Sequence, residues 1–359
     1  MRIFNFSAGP CTLPLPALEE VQAEIVDYQG AGMSMVEMSH RSAPYAAVHE
    51  GAMSLARELF GVPEDFDVLF IQGGATMQFG MVPMNLLADG SRAGYVETGI
   101  WAKKAINDGS HHGDVYVAWS GADLAYNRVP TSDEIAVTEN TRYVHITSNE
   151  TIGGVQFKDW PELSVPLVAD MSSDYMSRPI PWDKFDLVYG GVQKNLAPAG
   201  SALVFVRRSI LEHTNHDLAS YFRYDIHASK DSLYNTPPVF PIYMMEKVLR
   251  WMKDQGGLPA MESAAEQRAG LIYRTIDDSN GFFVNPIEKA SRSNMNVVFR
   301  IADNDLEPKF IAEAAAKGMS GLKGHSSVGG CRASVYNAMP QAGADALCEF
   351  MSDFMKQNA

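Results

Sequence analysis

The chain of 359 residues is 46% hydrophobic and 20% charged, a composition typical of a soluble globular protein that is long enough for a main domain and a smaller one. A net charge of −14 argues against nucleic acid and anionic membranes as partners. Three scattered cysteines without a CxxC pair, and the absence of an apolar leader or a membrane-spanning stretch in the sequence, predict a reducing, cytoplasmic location.

In the amino-terminal segment, apolar side chains recur at helical spacing in two places. They predict helices over 15–28 and 45–60, the second of which ends at Gly61. Short apolar runs then alternate with helical patterns from about residue 65 to 210. This alternation predicts an α/β fold with a mainly parallel sheet that is covered by helices on both faces.

The pattern changes after residue 210. It predicts a strand at 296–301 and helices over 242–255, 263–276, 308–317 and 344–356. The first two of these helices are separated by Gly256-Gly257-Leu258-Pro259, which we interpret as a domain boundary. We therefore expect a large domain of residues 12–258 and a smaller α/β domain of residues 259–359 together with 1–11.

A glycine-rich turn follows the strand predicted at 68–72. It contains Gly73-Gly74-Ala75-Thr76 and opens a helix that is predicted to reach about Ala88, with Pro83 inside it. Backbone N–H groups at such a junction converge on phosphate oxygens, and the helix dipole favours an anion. The turn matches neither a Walker loop nor the dinucleotide fingerprint, and paired glycines can serve helix packing alone. The turn by itself is therefore a weak indication of an anion site, and it needs support from other site residues.

One lysine, Lys194, lies between two short apolar strands predicted at 187–189 and 202–206. Burial disfavours the charged ammonium and lowers the pKa, so a lysine in a dry, glycine-lined turn becomes a nucleophile toward aldehydes. The alternative is a surface lysine in a β-hairpin turn. A carboxylate upstream favours the first interpretation.

That carboxylate is Asp170, which ends an apolar strand predicted at 167–170 and should face the crevice where α/β sheets bind ligands. Pyridoxal phosphate requires a lysine for its aldehyde and a carboxylate that keeps its pyridine nitrogen protonated. Lys194 and Asp170 together therefore favour a pyridoxal phosphate site, although Asp170 alone would suit a cap or turn. We predict no metal site, since the adjacent His111 and His112 have no evident third ligand.

Two more residues become candidates because of this pair. Trp101 opens a predicted helix and is either a core residue or a flat face for a cofactor ring. Arg332 leads a short predicted strand and suits a bidentate clamp for a carboxylate, although it could also be an ordinary surface arginine.

Motifs from both halves of the chain are specific in combination: Ser39-His40-Arg41, Asn149-Glu150-Thr151-Ile152, Gln193-Lys194-Asn195, Asn235-Thr236-Pro237-Pro238, Gly324-His325 and Val328-Gly329-Gly330. With them the whole chain resembles the phosphoserine aminotransferases, a family of class V, fold type I pyridoxal phosphate enzymes. The resemblance implies a homodimer with shared active sites. It also implies amino transfer from glutamate to 3-phosphohydroxypyruvate, a phosphorylated keto acid.

The resemblance implies a role for each matching residue. Lys194 would bind the cofactor as a Schiff base, and Asp170 would hold the pyridine nitrogen. Trp101 would stack on the ring, and Thr151 would hydrogen-bond its phenolic oxygen. The cofactor phosphate would be held by Ala75, Thr76 and Gln193, with Asn235 and Thr236 from a second subunit. The substrate would be held by Arg332 at its carboxylate and by His40, Arg41 and His325 at its phosphate.

Two departures from the family pattern concern the substrate phosphate. Several relatives carry arginine at the positions of Thr76 and Ser326, so this chain has fewer cations for that group. Another class V activity, such as an alanine–glyoxylate aminotransferase, therefore stays open. A cysteine desulfurase, with Cys331 beside the carboxylate clamp, and a non-catalytic binding protein are less favoured. Activity on 4-phosphooxy-L-threonine is a further open possibility.

Overall fold

The alternating middle of the chain forms a seven-stranded sheet in the computed structural model, which describes residues 2–87, 90–212 and 217–359. The strands are β1 (Phe4–Asn5), β2 (Phe66–Gln72), β3 (Arg92–Glu97), β4 (Asp114–Ser120), β5 (Thr141–Thr147), β6 (Leu167–Asp170), β7 (Phe185–Gly191), β8 (Ser201–Arg207), β9 (Phe283–Val284), β10 (Asn296–Ile301), β11 (Met319–Ser320) and β12 (Cys331–Ser334). The α-helices are α1 (Leu15–Glu24), α2 (Ala43–Phe60), α3 (Gly74–Leu86), α4 (Ile100–Gly109), α5 (Arg208–Leu211), α6 (Tyr224–Ala228), α7 (Val239–Asp254), α8 (Gly257–Asp277), α9 (Glu307–Ala316) and α10 (Gln341–Asn358).

The order of the sheet is β2-β8-β7-β6-β5-β3-β4. Its strands β3 to β7 pair in parallel, whereas β8 is antiparallel to both of its neighbours. A parallel pair needs a crossover of a dozen or more residues, and only residues 192–200 connect β7 to β8. The chain must therefore reverse direction at this point. The predicted α/β fold with a mainly parallel sheet is confirmed.

Side chains of the sheet alternate between two hydrophobic cores. In β2, Val68 and Phe70 contribute to the core beneath α2 and α7, while Leu69 and Ile71 contribute to the core beneath α3 and α4. Successive residues of a strand point to opposite faces, so a strand with helices on both sides must be apolar throughout. This accounts for the continuous apolar runs in the sequence.

The carboxyl-terminal part has its own core around the antiparallel sheet β12-β10-β9. The helices α8, α9 and α10 pack on this sheet, and the buried side chain of Phe6 belongs to the same core. The first residues of the chain join this part through the parallel pairing of β1 with β11. The first residues thus pack with the carboxyl-terminal part, and the chain then continues into α1.

Several predicted element limits were wrong. The first predicted helix stops at Glu24, since Asp27 is extended and Tyr28 begins a separate 3₁₀ turn. The helix predicted from 263 begins at Gly257, directly after Gly256, whose φ of 101° turns the chain. Its early proline lies in the first turn, where a proline is tolerated. The predicted end of α3 at Ala88 lies outside the described residues.

Within the described ranges, we find no helix long and apolar enough to cross a membrane.

Candidate active site

Polar residues collect where the parallel strands β5, β6 and β7 end. These strands are neighbours in the sheet, so their carboxyl ends meet at one edge. The edge borders a cavity of about 340 Å³. The cavity is lined by most of the predicted site residues: Ala75, Thr76, Trp101, Thr151, Asp170, Gln193, Lys194, His325 and Arg332.

Lys194 is buried, with 8% of its surface exposed. Its Nζ donates a hydrogen bond to Thr151 Oγ1 at 2.6 Å and lies 5.4 Å from the centre of the Trp101 ring. Burial lowers the pKa of Lys194, while the carboxylates of Asp170 and Glu150 act in the opposite direction. The amine is therefore easier to deprotonate than a surface lysine, which is the condition for a nucleophile.

Asp170 is also buried, with 4% of its surface exposed. The backbone N–H and the hydroxyl of Ser172 both donate to Asp170 Oδ1, at 2.9 and 2.6 Å. Burial raises the pKa of Asp170, and the nearby Lys194 opposes this. Among the residues described, none hydrogen-bonds Oδ2. That oxygen is therefore available to an N–H group of a ligand.

The glycine turn at the start of α3 forms another wall of the cavity. Gly73 and Gly74 have φ values of 96° and 69°, which favour glycine, and the Gly73 N–H donates to Gly200 O at 3.3 Å. Helix α3 begins at Gly74, so the first N–H groups of the helix have no partner within it. The observed turn has the geometry of an anion site at Ala75 and Thr76.

Trp101, in the first turn of α4, is held in place by a buried carboxylate. Glu150 Oε2 accepts from the Trp101 N–H at 3.2 Å, and Oε1 accepts from the Ala102 N–H at 2.9 Å. The pKa of Glu150 is raised to about 7, chiefly by burial and less by the charge of Asp170, while the two backbone donors act to lower it. Sequence reasoning missed Glu150, although an acid just after a buried strand is the same signal that identified Asp170.

Arg332 enters the cavity from β12. Its Nη1 donates to Thr151 O at 3.2 Å, and its Nε is buried without a partner in the described part of the chain. Burial lowers the pKa of Arg332. His325 lies at the exposed side of the cavity, where the Ser327 N–H donates to its Nδ1 at 3.2 Å. Both side chains can therefore contact a ligand that enters from solvent.

Four predicted site residues do not line this cavity: His40, Arg41, Asn235 and Thr236. Arg41 is exposed and makes no ion pair with any residue that the structure describes. Thr236 is anchored near the site, since Gln72 Nε2 donates to Thr236 O at 2.7 Å. Within one chain, these residues are not part of the cavity wall.

The segments that carry these four residues expose apolar surface. Val26 is 80% exposed, and Met33 and Val36 are 46% and 48% exposed in the chain that leads to His40. Tyr234, next to Asn235, is 46% exposed. These segments are therefore candidates for a contact with another protein subunit.

The cavity fits pyridoxal phosphate in its donor set. Lys194 offers an amine for the aldehyde, and Asp170 Oδ2 has no hydrogen-bond partner among the described residues. The first N–H groups of α3 suit a phosphate, and the Trp101 indole offers a flat face. The described residues contain no group of three or more potential metal ligands.

The raised pKa of Glu150 gives a pH dependence of stability. An acid whose pKa rises on folding takes up a proton when the chain folds, so the free energy of unfolding falls as pH increases between about 4.5 and 7. A tenfold change in the dissociation constant of an acid corresponds to about 1.4 kcal/mol. We expect Glu150→Gln to lose less stability between pH 5 and 8 than the unsubstituted chain, measured by urea unfolding without ligands. An equal loss in both proteins would contradict the raised pKa.

Comparison with known proteins supports the same type of site. The family model "Aminotransferase class-V" matches residues 3–347. The phosphoserine aminotransferase of Dichelobacter nodosus is 50% identical over 99% of both chains. The structure of phosphoserine aminotransferase from Bacillus circulans subsp. alkalophilus superposes with a TM-score of 0.98 at 48% identity, covering 100% of this chain and 99% of that one.

A further structure, of PLP-bound phosphoserine aminotransferase from Trichomonas vaginalis, has a TM-score of 0.93 at 36% identity and covers 98% of this chain and 100% of that chain. These matches span essentially the whole chain, and they confirm both the resemblance inferred from the motifs and the pyridoxal phosphate transferase fold. The chain belongs to the class V aminotransferases and, within them, to the phosphoserine aminotransferase family.

Proposed function

We propose that this chain is a pyridoxal-phosphate-dependent transaminase that transfers the amino group of glutamate to 3-phosphohydroxypyruvate, giving 2-oxoglutarate and O-phospho-L-serine. The observation that carries the proposal is the arrangement of Lys194, with its lowered pKa, beside Thr151, Asp170 and the phosphate-binding turn in one cavity. Pyridoxal phosphate, when bound, supplies an aldehyde that carries the amino group and a cationic ring that withdraws electrons from the substrate.

Lys194 has two tasks in this proposal. Its Nζ would hold the cofactor through the aldehyde that pyridoxal phosphate supplies. Its amine would also take up the proton from the substrate Cα and later return it as an acid. The lowered pKa suits both tasks, because a proton carrier works best when its pKa lies near the operating pH.

Asp170 and Thr151 fix the orientation of the cofactor. Asp170 would keep the pyridine nitrogen protonated, while Ser172 holds the carboxylate in place through Oδ1. The Thr151 hydroxyl, which lies 2.6 Å from Lys194 Nζ, would hydrogen-bond the phenolic oxygen of the cofactor. Trp101 would stack on the ring, and Ala75, Thr76 and Gln193, which also line the cavity, would hold the cofactor phosphate.

Arg332 and His325 bind the substrate. The free Nε of Arg332 belongs to a planar fork that matches the α-carboxylate, which both amino donors and keto acids carry. His325, which lines the exposed side of the cavity, would meet the phosphate of the substrate. His40 and Arg41 would join it from a second subunit, since they do not line the cavity of their own chain. Since the substrate phosphate distinguishes this reaction from other class V activities, Arg41 is the residue that decides between the alternatives.

We further propose a homodimer in which Asn235, Thr236, His40 and Arg41 complete the site of the partner. In support, these residues do not line the cavity of their own chain and lie beside exposed apolar side chains. A two-fold axis would bring each such segment to the other subunit's cavity.

Two assignments of organisation accompany the proposal. We keep the division into a large domain, 12–258, and a small domain, 259–359 with 1–11, which is supported by the packing of Phe6 in the carboxyl-terminal core. Lys194 and Asp170 would then belong to the large domain and Arg332 to the small one.

The cysteines are free, which supports a reducing compartment. Burial raises the pKa of Cys331 to about 12, so it is a poor nucleophile for a desulfurase.

The covalent role of Lys194 has a direct test. We expect Lys194→Ala to fold and to lose activity by about three orders of magnitude, because no other amine takes the proton from the substrate Cα. Borohydride reduction should fix the cofactor to the unsubstituted protein but not to this variant. Lys104→Ala is the matched control, since Lys104 Nζ also lies near the Trp101 ring, 4.4 Å from its centre. This control variant should be labelled as strongly as the unsubstituted protein. Labelling of Lys194→Ala would contradict the assignment.

The substrate phosphate gives a second prediction. A charge-assisted hydrogen bond from a desolvated arginine contributes about 1.5–3 kcal/mol. We expect Arg41→Ala to lower kcat/KM for 3-phosphohydroxypyruvate about tenfold to a hundredfold, with little effect on unphosphorylated hydroxypyruvate or on the glutamate half-reaction. If the unsubstituted protein has comparable kcat/KM values for the two keto acids, a generic class V aminotransferase becomes the better assignment.

The shared site can be tested by mixing inactive subunits. A hybrid of Lys194→Ala and Arg41→Ala subunits places both defects in one site and none in the other, so a random mixture should recover about a quarter of full activity. A hybrid of Lys194→Ala and Asp170→Asn should recover none, because these two residues line the same cavity. Absence of recovery in the first mixture would show that Arg41 acts in its own subunit.

A further inference from the structure

A second cavity, of about 520 Å³, lies outside the candidate active site. It is enclosed by the amino-terminal segment, by the junction of α7 with α8, and by the turn that precedes α10. Its apolar wall includes Phe4, Leu13, Trp251, Met261 and Met339. The volume lies within the range of small-molecule sites, which are mostly apolar with a few polar groups that fix the ligand.

The polar group in this cavity is a buried arginine, Arg268 of α8, with 4% of its surface exposed. Its Nε donates to Val335 O at 3.4 Å, and Nη2 is buried without a partner in the described ranges. The lining also contains Arg2 and the amides of Asn337 and three glutamines, but no aspartate or glutamate. The residues that line the cavity therefore carry positive charge and no negative charge.

Buried cations are almost always paired, because desolvating a charge is costly. Two other buried cations follow this rule. Arg178 Nη2 lies 3.3 Å from Asp174 Oδ2, and Lys247 Nζ lies 2.6 Å from Glu20 Oε1. Arg268 forms no ion pair within the described part of the chain, and burial lowers its pKa to about 10. Lys194, the proposed site of cofactor attachment, likewise forms no salt bridge with a described residue.

We propose that this cavity is a binding site for a small organic carboxylate with an apolar body, and that its occupation affects the active site. The carboxylate pairs with the guanidinium of Arg268, and the apolar body lies against Trp251 and Met261. An inorganic anion would leave the apolar wall unfilled, and a neutral apolar molecule would leave the arginine without a counterion.

The connection to the active site runs through the turn after β12. Arg268 donates to the backbone of Val335. Two residues further along the chain, the Asn337 N–H donates to Asn195 Oδ1 at 3.0 Å, and Asn195 directly follows Lys194 in the sequence. Between them, Tyr336 Oη donates to Ala8 O at 2.7 Å, and Ala8 lines the active-site cavity. A ligand on Arg268 therefore contacts the segment that supports the backbone of the proposed catalytic lysine.

The test of binding uses holoenzyme and three probes: 3-phenylpropanoate, the matched alcohol 3-phenylpropan-1-ol, and acetate. Calorimetric titration should show saturable binding of 3-phenylpropanoate, at least about tenfold tighter than either of the other two. Arg268→Met should weaken it at least about tenfold. Ala264→Trp, which fills the cavity from α8 and keeps the arginine, should abolish it. The second variant keeps the test decisive if the first does not fold.

Arg332→Ala serves as the control for binding at the active site, because Arg332 is the guanidinium that lines the active-site cavity and forms no ion pair with a described residue. Loss of 3-phenylpropanoate binding in Arg332→Ala, with retention in Ala264→Trp, would overturn the proposed site. Equal affinity for the alcohol would overturn the carboxylate assignment. These measurements do not require turnover, so their failure is separate from a failure of the proposed function.

The effect on the active site rests on the proposed function and is read from kinetics. Saturating 3-phenylpropanoate should change KM for glutamate at least about threefold. Any change in the dissociation constant of glutamate must be matched by an equal change in the dissociation constant of the probe. The change should disappear in Ala264→Trp. A change that persists there would indicate competition at the active site, and no change at saturation would overturn the coupling while the binding site stands.

Discussion

The desolvated amine of Lys194 is the constraint on which the arrangement of this site depends. A buried ammonium is unfavourable unless charges compensate it, yet a close salt bridge would keep the amine protonated and unreactive. The chain meets both requirements because Asp170 and Glu150 influence the amine without forming a salt bridge to it. Thr151 gives Lys194 a neutral hydrogen-bond partner, while Asp170 and Glu150 limit the fall of its pKa from a distance.

The sheet topology explains why these groups meet. Three neighbouring parallel strands end at one edge, so residues separated by more than forty positions in the sequence face one cavity. The short reversal between β7 and β8 keeps Lys194 close to the end of its strand. The amino-terminal segment then passes over this reversal, and Gly9 allows the approach, since a Cβ there would lie 3.3 Å from Lys194 Cγ.

The same reasoning separates the buried cations of the chain into two kinds. Arg178 and Lys247 have carboxylate partners and hold elements together. Lys194 and Arg268 form no ion pair with a described residue, and both line cavities. At Lys194 the charges of Asp170 and Glu150 limit the fall of the pKa without a salt bridge, so the amine can still act as a nucleophile. No acid lines the cavity of Arg268, so its burial retains a cost that an anionic ligand can relieve.

The sequence by itself determined the alternating α/β pattern, the limits of β10, and the pairing of Lys194 with Asp170, because strand periodicity and unusual polar residues between apolar runs are local signals. It misplaced the start of α8, since Gly256 and Pro259 predict a linker as readily as a helix start. Only the tertiary structure revealed Glu150 and Arg268 as buried charges and placed His40 and Arg41 outside the cavity of their own chain. The physical reason is that desolvation and ion pairing depend on neighbours brought together by folding, which no local pattern of residues records.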